Sequence, residues 1–302
     1  MRRAPTSPIL SIIVPVVNEA ETVADTLSAL KPFRQRGAEV IVVDGGSDDE
    51  TALRAQPHAD RVIRGPRGRA AQMNEGAKVA SGFIFLFLPS DTTLPADADT
   101  QVMYGRARDT SVWGRFDMRL VGQHPLLPIL ARFLNWRSRI SGIAAGEQVI
   151  FVQRETFFRI GGFADIPVMD DVDISKRLKA ISPPICVTSR VTVPARSYDR
   201  EGFWTALRDL FVMRFRFRMG MAPAEILKRH HLRKQKLAAK RDGMTNTSKK
   251  RTRRAQVEPK LEPKADIKLS PKVDRSPQDF VAEDRRRKSP SSGGSKPARK
   301  RS

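Results

Sequence analysis

Six large apolar residues in an unbroken row, Phe83-Ile84-Phe85-Leu86-Phe87-Leu88, run straight into the polar turn Pro89-Ser90-Asp91-Thr92-Thr93-Leu94-Pro95, and no other stretch narrows the choice of fold so far. The run lacks the alternation of a half-exposed strand and is closed by a proline, so it predicts a strand covered on both faces, as in parallel sheets. Asp91 then lies just past the strand's carboxyl end, the edge at which open α/β sheets bind their ligands. Turn formation by Ser-Asp-Thr accounts for Asp91 equally well if nothing else converges there.

The segments before it supply the convergence. Leu10 to Val17 reads as a first apolar strand ending at Asn18-Glu19, and Val23, Leu27 and Leu30 recur at helical spacing to return the chain. A second strand, Val40 to Val43, delivers Asp44-Gly45-Gly46-Ser47-Asp48-Asp49. A short third, Arg61 to Ile63, leads through a basic, glycine-containing loop to a small-residue helix, Ala70 to Ala80. Units of this length impose parallel strands with right-handed crossovers, the pattern of a nucleotide-type α/β half. Neither Gly-x-Gly-x-x-Gly nor a Gly-Lys-Ser/Thr loop is present to mark a dinucleotide or P-loop site. Glu19, Asp44 and Asp91 all follow strand ends. One such carboxylate is an ordinary cap, but several on one edge repel unless cations or hydrogen-bond donors lie between them.

The second half is less regular. Ser111 to Asp117 and Val149 to Val152 read as strands, and Leu126 to Ile140 as a helix whose apolar face includes Leu126, Leu127, Leu130, Phe133, Leu134 and Trp136. After Gly161-Gly162-Phe163 comes a helix opened by Met169-Asp170-Asp171, where the helix dipole alone would favour carboxylates. Phe203 to Met221 mixes aromatic and basic residues. It suits an interfacial helix on anionic lipid, or a helix packed on the domain whose arginines neutralise a diphosphate or pair with carboxylates.

Taken together, Ile-Ile-Val-Pro-Val-Val-Asn-Glu, Val-Val-Asp-Gly-Gly-Ser-Asp-Asp, Gly-Arg-Ala-Ala-Gln-Met-Asn-Glu-Gly-Ala, Leu-Pro-Ser-Asp-Thr-Thr-Leu-Pro, Gly-Glu-Gln-Val-Ile-Phe, Gly-Gly-Phe and Met-Asp-Asp-Val-Asp-Ile-Ser-Lys-Arg-Leu resemble, in order, the family 2 inverting glycosyltransferases of GT-A fold. The resemblance is closest to a bacterial subgroup with poorly defined acceptors. It implies an α/β, GT-A-type nucleotide-binding sheet flanked by helices over residues 9–235, followed by a disordered basic tail. Residues 9–95 would form the nucleotide-binding half, 96–200 the acceptor half and 201–231 a basic, aromatic helical segment. It further implies hexosyl-type transfer from a UDP- or GDP-linked sugar to an unidentified hydroxyl acceptor, with a lipid-linked one among the options. By the same resemblance Pro15, Asn18 and Glu19 would line the nucleotide pocket, Asp44 would accept a hydrogen bond from the base, and Arg69 and Asn74 would lie near the diphosphate or base. Ser90 belongs to the donor turn, Asp91 would hold a divalent metal (Mn or Mg), and Gly161 and Gly162 would let backbone approach the sugar. Asp171 would be the base that deprotonates the acceptor, with Asp170 orienting. The family's two-carboxylate Asp-x-Asp is reduced here to Pro89-Ser90-Asp91, and Mg²⁺ tolerates one or two carboxylates when phosphates and water complete its shell.

Charge divides the chain. Of its 55 Lys and Arg and 33 Asp and Glu, 25 and 8 fall in residues 228–302, leaving 30 and 25 for residues 1–227. Residues 236–302, with one aromatic, Phe280, lack the apolar surface to offset chain entropy, so disorder is expected there. The rival function is therefore a non-catalytic polyanion binder that holds nucleic acid or anionic membrane through this tail. The single cysteine, Cys186, and the lack of a signal-type apolar segment fit a cytoplasmic protein, with peripheral attachment to the inner face of a membrane as a further expectation.

Overall fold

The computed structural model describes residues 8–108 and 110–235. Seven strands form one sheet: β1 (Leu10–Val16), β2 (Glu39–Asp44), β3 (Arg61–Arg64), β4 (Ile84–Phe87), β5 (Trp113–Val121), β6 (Ile150–Gln153) and β7 (Ile185–Pro194), in the order β3-β2-β1-β4-β6-β5-β7. β1 pairs in parallel with both β2 and β4, and β2 with β3, so the carboxyl ends of all four meet on one edge. β6 alone runs against its neighbours β4 and β5, which brings its amino end to that same edge.

β4 is buried throughout, as its composition predicts, although only one of its two neighbours is parallel and Phe83 lies just outside it, 53% exposed. Alternate residues feed two apolar layers. Ile12, Val14, Val40, Val42 and Leu86 face one, which includes α1 (Val23–Ser28) and α6 (Leu127–Ser141); Ile13, Ile41, Val43, Phe85 and Phe87 face the other, against α4 (Arg69–Val79). α4 lies close because its sheet side carries Ala70, Gly76 and Ala77; a Cβ at Gly76 would collide with Ile13.

The remaining helices are α2 (Lys31–Gln35), α3 (Thr51–Ala55), α5 (Ala98–Arg108), α7 (Arg154–Arg159), α8 (Asp170–Lys179), α9 (Arg196–Glu201) and α10 (Phe203–Arg218), with helical residues again over 223–235. The expected apolar face of α6 needs correction. Leu127, Leu130 and Leu134 enter the core, but Phe133 and Trp136 are 40% and 59% exposed. At 100° per residue they fall with Ile129 and Ile140 on the opposite side, so α6 is apolar on two faces. Among the described residues no helix is long and apolar enough to cross a membrane. The expected disordered tail, 236–302, lies outside the described residues.

Candidate active site

At the end of β1 the chain turns through Asn18, held at φ 53°, a left-handed conformation that Asn tolerates. Its amide N–H donates to Ser47 Oγ and its Oδ1 accepts from the Asp48 N–H, both at 2.9 Å. Asp44 is buried at the end of β2, where the N–H and Oγ–H of Ser47 both donate to its Oδ1, at 2.9 and 2.6 Å. Glu19 Oε1 accepts from Ser90 at 3.2 Å, and Arg196 of α9 stands between the two acids, 3.9 Å from Glu19 and 4.0 Å from Asp91. Pro15 is half-buried beside Val43. Pro15, Asn18, Glu19, Asp44, Ser90 and Asp91 are thus gathered at one sheet edge. A cleft of about 350 Å³ opens there between Asn18, Glu19, Asp49 and Arg196.

Asp91 is the only carboxylate in its turn, and among the described residues no three His, Cys, Asp or Glu side chains converge to hold a metal. The donor set available, one carboxylate that Arg196 approaches only to 4.0 Å, fits a hard divalent cation that takes its remaining ligands from phosphate and water.

Arg69, the first residue of α4, links this edge to the acidic pair at the start of α8. Its side chain is 41% exposed; the covered part disfavours the charge, yet Asp170, Asp171, Glu147 and Asp91, in that order of effect, hold its guanidinium above the ordinary arginine value. Asp170 Oδ2 is 3.5 Å from Arg69 Nε and otherwise buried without a hydrogen bond. Burial pushes the Asp170 carboxyl above the usual carboxylate range; Arg69 opposes this and neighbouring Asp171 adds to it. Asp171, 6% exposed, accepts at 2.9 Å from Nη2 of Arg214, which α10 supplies.

Asn74, Gly161 and Gly162 meet at a turn that α8 also holds, Arg177 Nη1 donating to the Gly162 carbonyl at 2.7 Å. The Asn74 amide donates to the Phe163 carbonyl and accepts from the Phe163 N–H, both at 2.9 Å, so both of its polar atoms hold the Gly-Gly-Phe turn. Gly161 and Gly162 have φ of 79° and 69°, and a Cβ on Gly162 would sit 2.6 Å from Asn74 Oδ1. The three line a separate cleft of about 450 Å³ beside α4 and α7.

Three groups at the site are given no role by the sequence: Glu147, although it lies in the Gly-Glu-Gln-Val-Ile-Phe segment, Arg196 and Arg137. Glu147, exposed, arrives on the turn before β6, underpinned by buried Gln148 and Asn135. Arg196 and Arg137 complete the set of cations. Only the pairing of α10 arginines with carboxylates is foreseen in the sequence, and Arg214 fulfils it.

The glycosyl transferase family 2 profile matches residues 11–164, half of the chain. Poly-beta-1,6-N-acetyl-D-glucosamine synthase of Staphylococcus aureus (strain COL) is 30% identical over 95 residues, 30% of this chain and 23% of that protein. The chain thus spans about a quarter of that relative's length. The mannosyltransferase PcManGT of Pyrobaculum calidifontis, in complex with GDP-Man and Mn²⁺, superposes with a TM-score of 0.51 at 23% identity, covering 73% of this chain and 67% of that one. S. aureus TarS in complex with UDP-GlcNAc gives a TM-score of 0.52 at 17% identity, covering 61% and 58%. These likenesses show a shared fold.

Proposed function

The chain belongs to glycosyl transferase family 2, and from that premise we propose that it is an inverting glycosyltransferase, moving a sugar from a UDP- or GDP-linked donor to an acceptor hydroxyl. The observation that carries the reading is the placement of cations beside acids: Arg196 between Glu19 and Asp91 at the sheet edge, and Arg69 against Asp170, next to Asp171. It offers cations for a diphosphate at the sheet edge and a carboxylate at the far end for the acceptor. PcManGT with GDP-Man and TarS with UDP-GlcNAc support a nucleotide-sugar donor and leave both bases open.

In this mechanism Asn18, Glu19 and Asp44 form the nucleotide end of the site, with Pro15 and Ser90 beside them, and Arg69 and Arg196 face the diphosphate. Asn74 acts at one remove, setting the Gly161–Gly162 turn. The acceptor oxygen attacks the anomeric carbon, its proton passes to Asp171, and the bond from that carbon to the diphosphate oxygen breaks with its electron pair leaving on the nucleotide. Asp170 holds Arg69 in place. A divalent metal, Mn²⁺ or Mg²⁺, would be held by Asp91 and would neutralise charge on the leaving diphosphate; the Mn²⁺ bound with GDP-Man in PcManGT supports this. A cytoplasmic protein resting on the inner face of a membrane fits the exposed Trp204, Phe211 and Phe215, which share one side of α10, and Met219 just past its end.

Thermal shift against UDP- and GDP-sugars, with and without Mn²⁺ or Mg²⁺, tests the reading. A donor at about 100 times its Kd should add about 2.7 kcal/mol of stability, and Asp91→Asn should lose the metal-dependent part of the shift while keeping its own melting temperature. No stabilisation by any nucleotide-sugar would sink the proposal.

A further inference from the structure

Between α6, α8 and α10 lies a cavity of about 520 Å³ whose walls are apolar and whose charges are all of one sign. Leu134, Val172, Phe211, Phe215 and Phe217 supply hydrocarbon; Arg137, Lys176, Arg214 and Arg218 are its only charged residues. Lys176 already sits over the Phe217 ring, 5.1 Å from its centroid. The two arginines are far less satisfied. Nε and Nη2 of Arg137 and Nε and Nη1 of Arg214 are buried with no hydrogen-bond partner among the described residues. Burial, then the proximity of Arg214, pull the Arg137 guanidinium down to about 10, against Asp171 and Glu147, whose nearby carboxylates raise it without a hydrogen bond to its buried Nε or Nη2. Two like charges with unmet donors are unfavourable unless an anion completes them, and a phosphoryl group matches a guanidinium's planar fork.

The surroundings narrow the anion further. Phe133, Trp136 and Ile140 on α6, Phe211 and Phe215 on α10 and Met219 at its end are all at least 40% exposed, and the Phe133 and Phe211 rings lie 6.1 Å apart, joining the two helices' outer faces into one apolar rim. A free phosphate or a sugar phosphate has no use for such walls, whereas a hydrocarbon chain does. We propose that Arg137 and Arg214 form a phosphoryl subsite and that the acceptor is a phosphate-bearing lipid, its chain between α6 and α10 and its hydroxyl delivered to Asp171. This rests on the reading of Asp171 as the acceptor base. Arg214 joins the two functions, because one of its nitrogens already donates to Asp171 at 2.9 Å while two others await an acceptor.

The test uses the full chain, with monododecyl phosphate, inorganic phosphate and dodecanol as calorimetric probes, on wild type, Arg137→Met and Arg214→Met. Wild type should bind dodecyl phosphate about tenfold or more tightly than either other probe, and each variant should lose about tenfold for dodecyl phosphate alone. Arg137→Met should melt no lower than wild type, since it removes an unpaired, partly buried charge. Equal binding of dodecyl phosphate and dodecanol removes the phosphoryl subsite. Equal binding of dodecyl and inorganic phosphate removes the lipid. Unchanged binding of dodecyl phosphate in Arg137→Met overturns the two-arginine subsite. Donor-induced thermal shift, run in parallel, separates the two proposals: donor stabilisation with no dodecyl phosphate binding overturns this one alone, and the converse overturns the transferase reading while leaving an anion site.

Discussion

Among the described residues, three other than glycine hold a left-handed backbone: Asn18 at φ 53°, Val149 at 47° and Met169 at 67°. Each adjoins a charged part of the site. Asn18 precedes Glu19, Val149 follows the Glu147 turn, and Met169 delivers Asp170 and Asp171. Val149 is β-branched and fully buried, so its conformation costs about 1–3 kcal/mol that the surrounding packing must offset. Such strain fits a site whose groups are held in place rather than free to relax. Asp171→Asn keeps the size of the side chain and one acceptor for Arg214 but cannot take a proton, so turnover should fall by about 10² to 10⁴ with donor affinity near wild type. Asp170→Asn should be milder in turnover and should change the pH dependence of stability. Because the folded Asp170 carboxyl titrates above its unfolded value, the native state holds more protons in the window between the two. Wild type therefore loses stability as pH rises through that window, and the variant should not. Arg69 is 41% exposed, so losing this partner leaves it solvated and does not mask the effect. Denaturant midpoints from about pH 4 upward read it out; parallel curves for both proteins would contradict the assigned environment. Asp170 and Asp171 are legible in the sequence because they open one helix. Arg214 as partner of Asp171 is not fixed there, since the two stand 43 positions apart and the fold between them decides which carboxylate a given arginine meets.

Among elements, β1, β2 and β4 are legible because burial on both faces leaves an unbroken apolar run with one interpretation. β7 is not: Thr188-Ser189-Arg190 interrupts its apolar residues where the β5–β7 register shifts between Phe116 and Asp117, so neither half reads as a strand. The two-sided α6 misleads for the opposite reason, because residues of both its faces are apolar and only one is covered. The turn after α7 depends on a contact that sequence spacing does not reveal, the clamp from Asn74 to Phe163 across 89 residues. Asn74→Ala removes both hydrogen bonds and leaves the Phe163 N–H and carbonyl without them, so destabilisation of about 1–3 kcal/mol is expected. Asn74→Asp keeps the acceptor but not the donor and should fall between the two. If donor binding by Asn74→Ala weakens no more than its stability loss explains, the residue acts through the turn; a specific loss of donor affinity in the folded protein would place it against the nucleotide instead.

On the scale of the whole molecule, attraction to anionic surfaces has two separable sources. One is the aromatic and basic face of α6 and α10, where Trp136, Trp204 and Phe215 are more than half exposed. The other is the strongly basic end of the sequence, Lys249-Lys250-Arg251 and Arg285-Arg286-Arg287-Lys288 among its runs. They differ in physics. Burial of aromatic surface at a lipid interface is insensitive to salt, whereas each basic residue near anionic lipid contributes about 1 kcal/mol and is screened over a Debye length of about 8 Å at 0.15 M. Deleting residues 236–302 should therefore leave donor binding intact, abolish most of the salt-sensitive flotation with anionic vesicles, and spare a weaker, salt-insensitive part. Replacing Phe215 and Trp136 by serine in the full chain should do the reverse. Flotation of wild type and the truncated protein at low and high salt, with a polyanion such as heparin as competitor, measures both parts. Equal flotation of the two at low salt would show that the tail takes no part in membrane contact. Loss of donor binding on truncation would instead favour the rival reading, in which the basic tail carries the function.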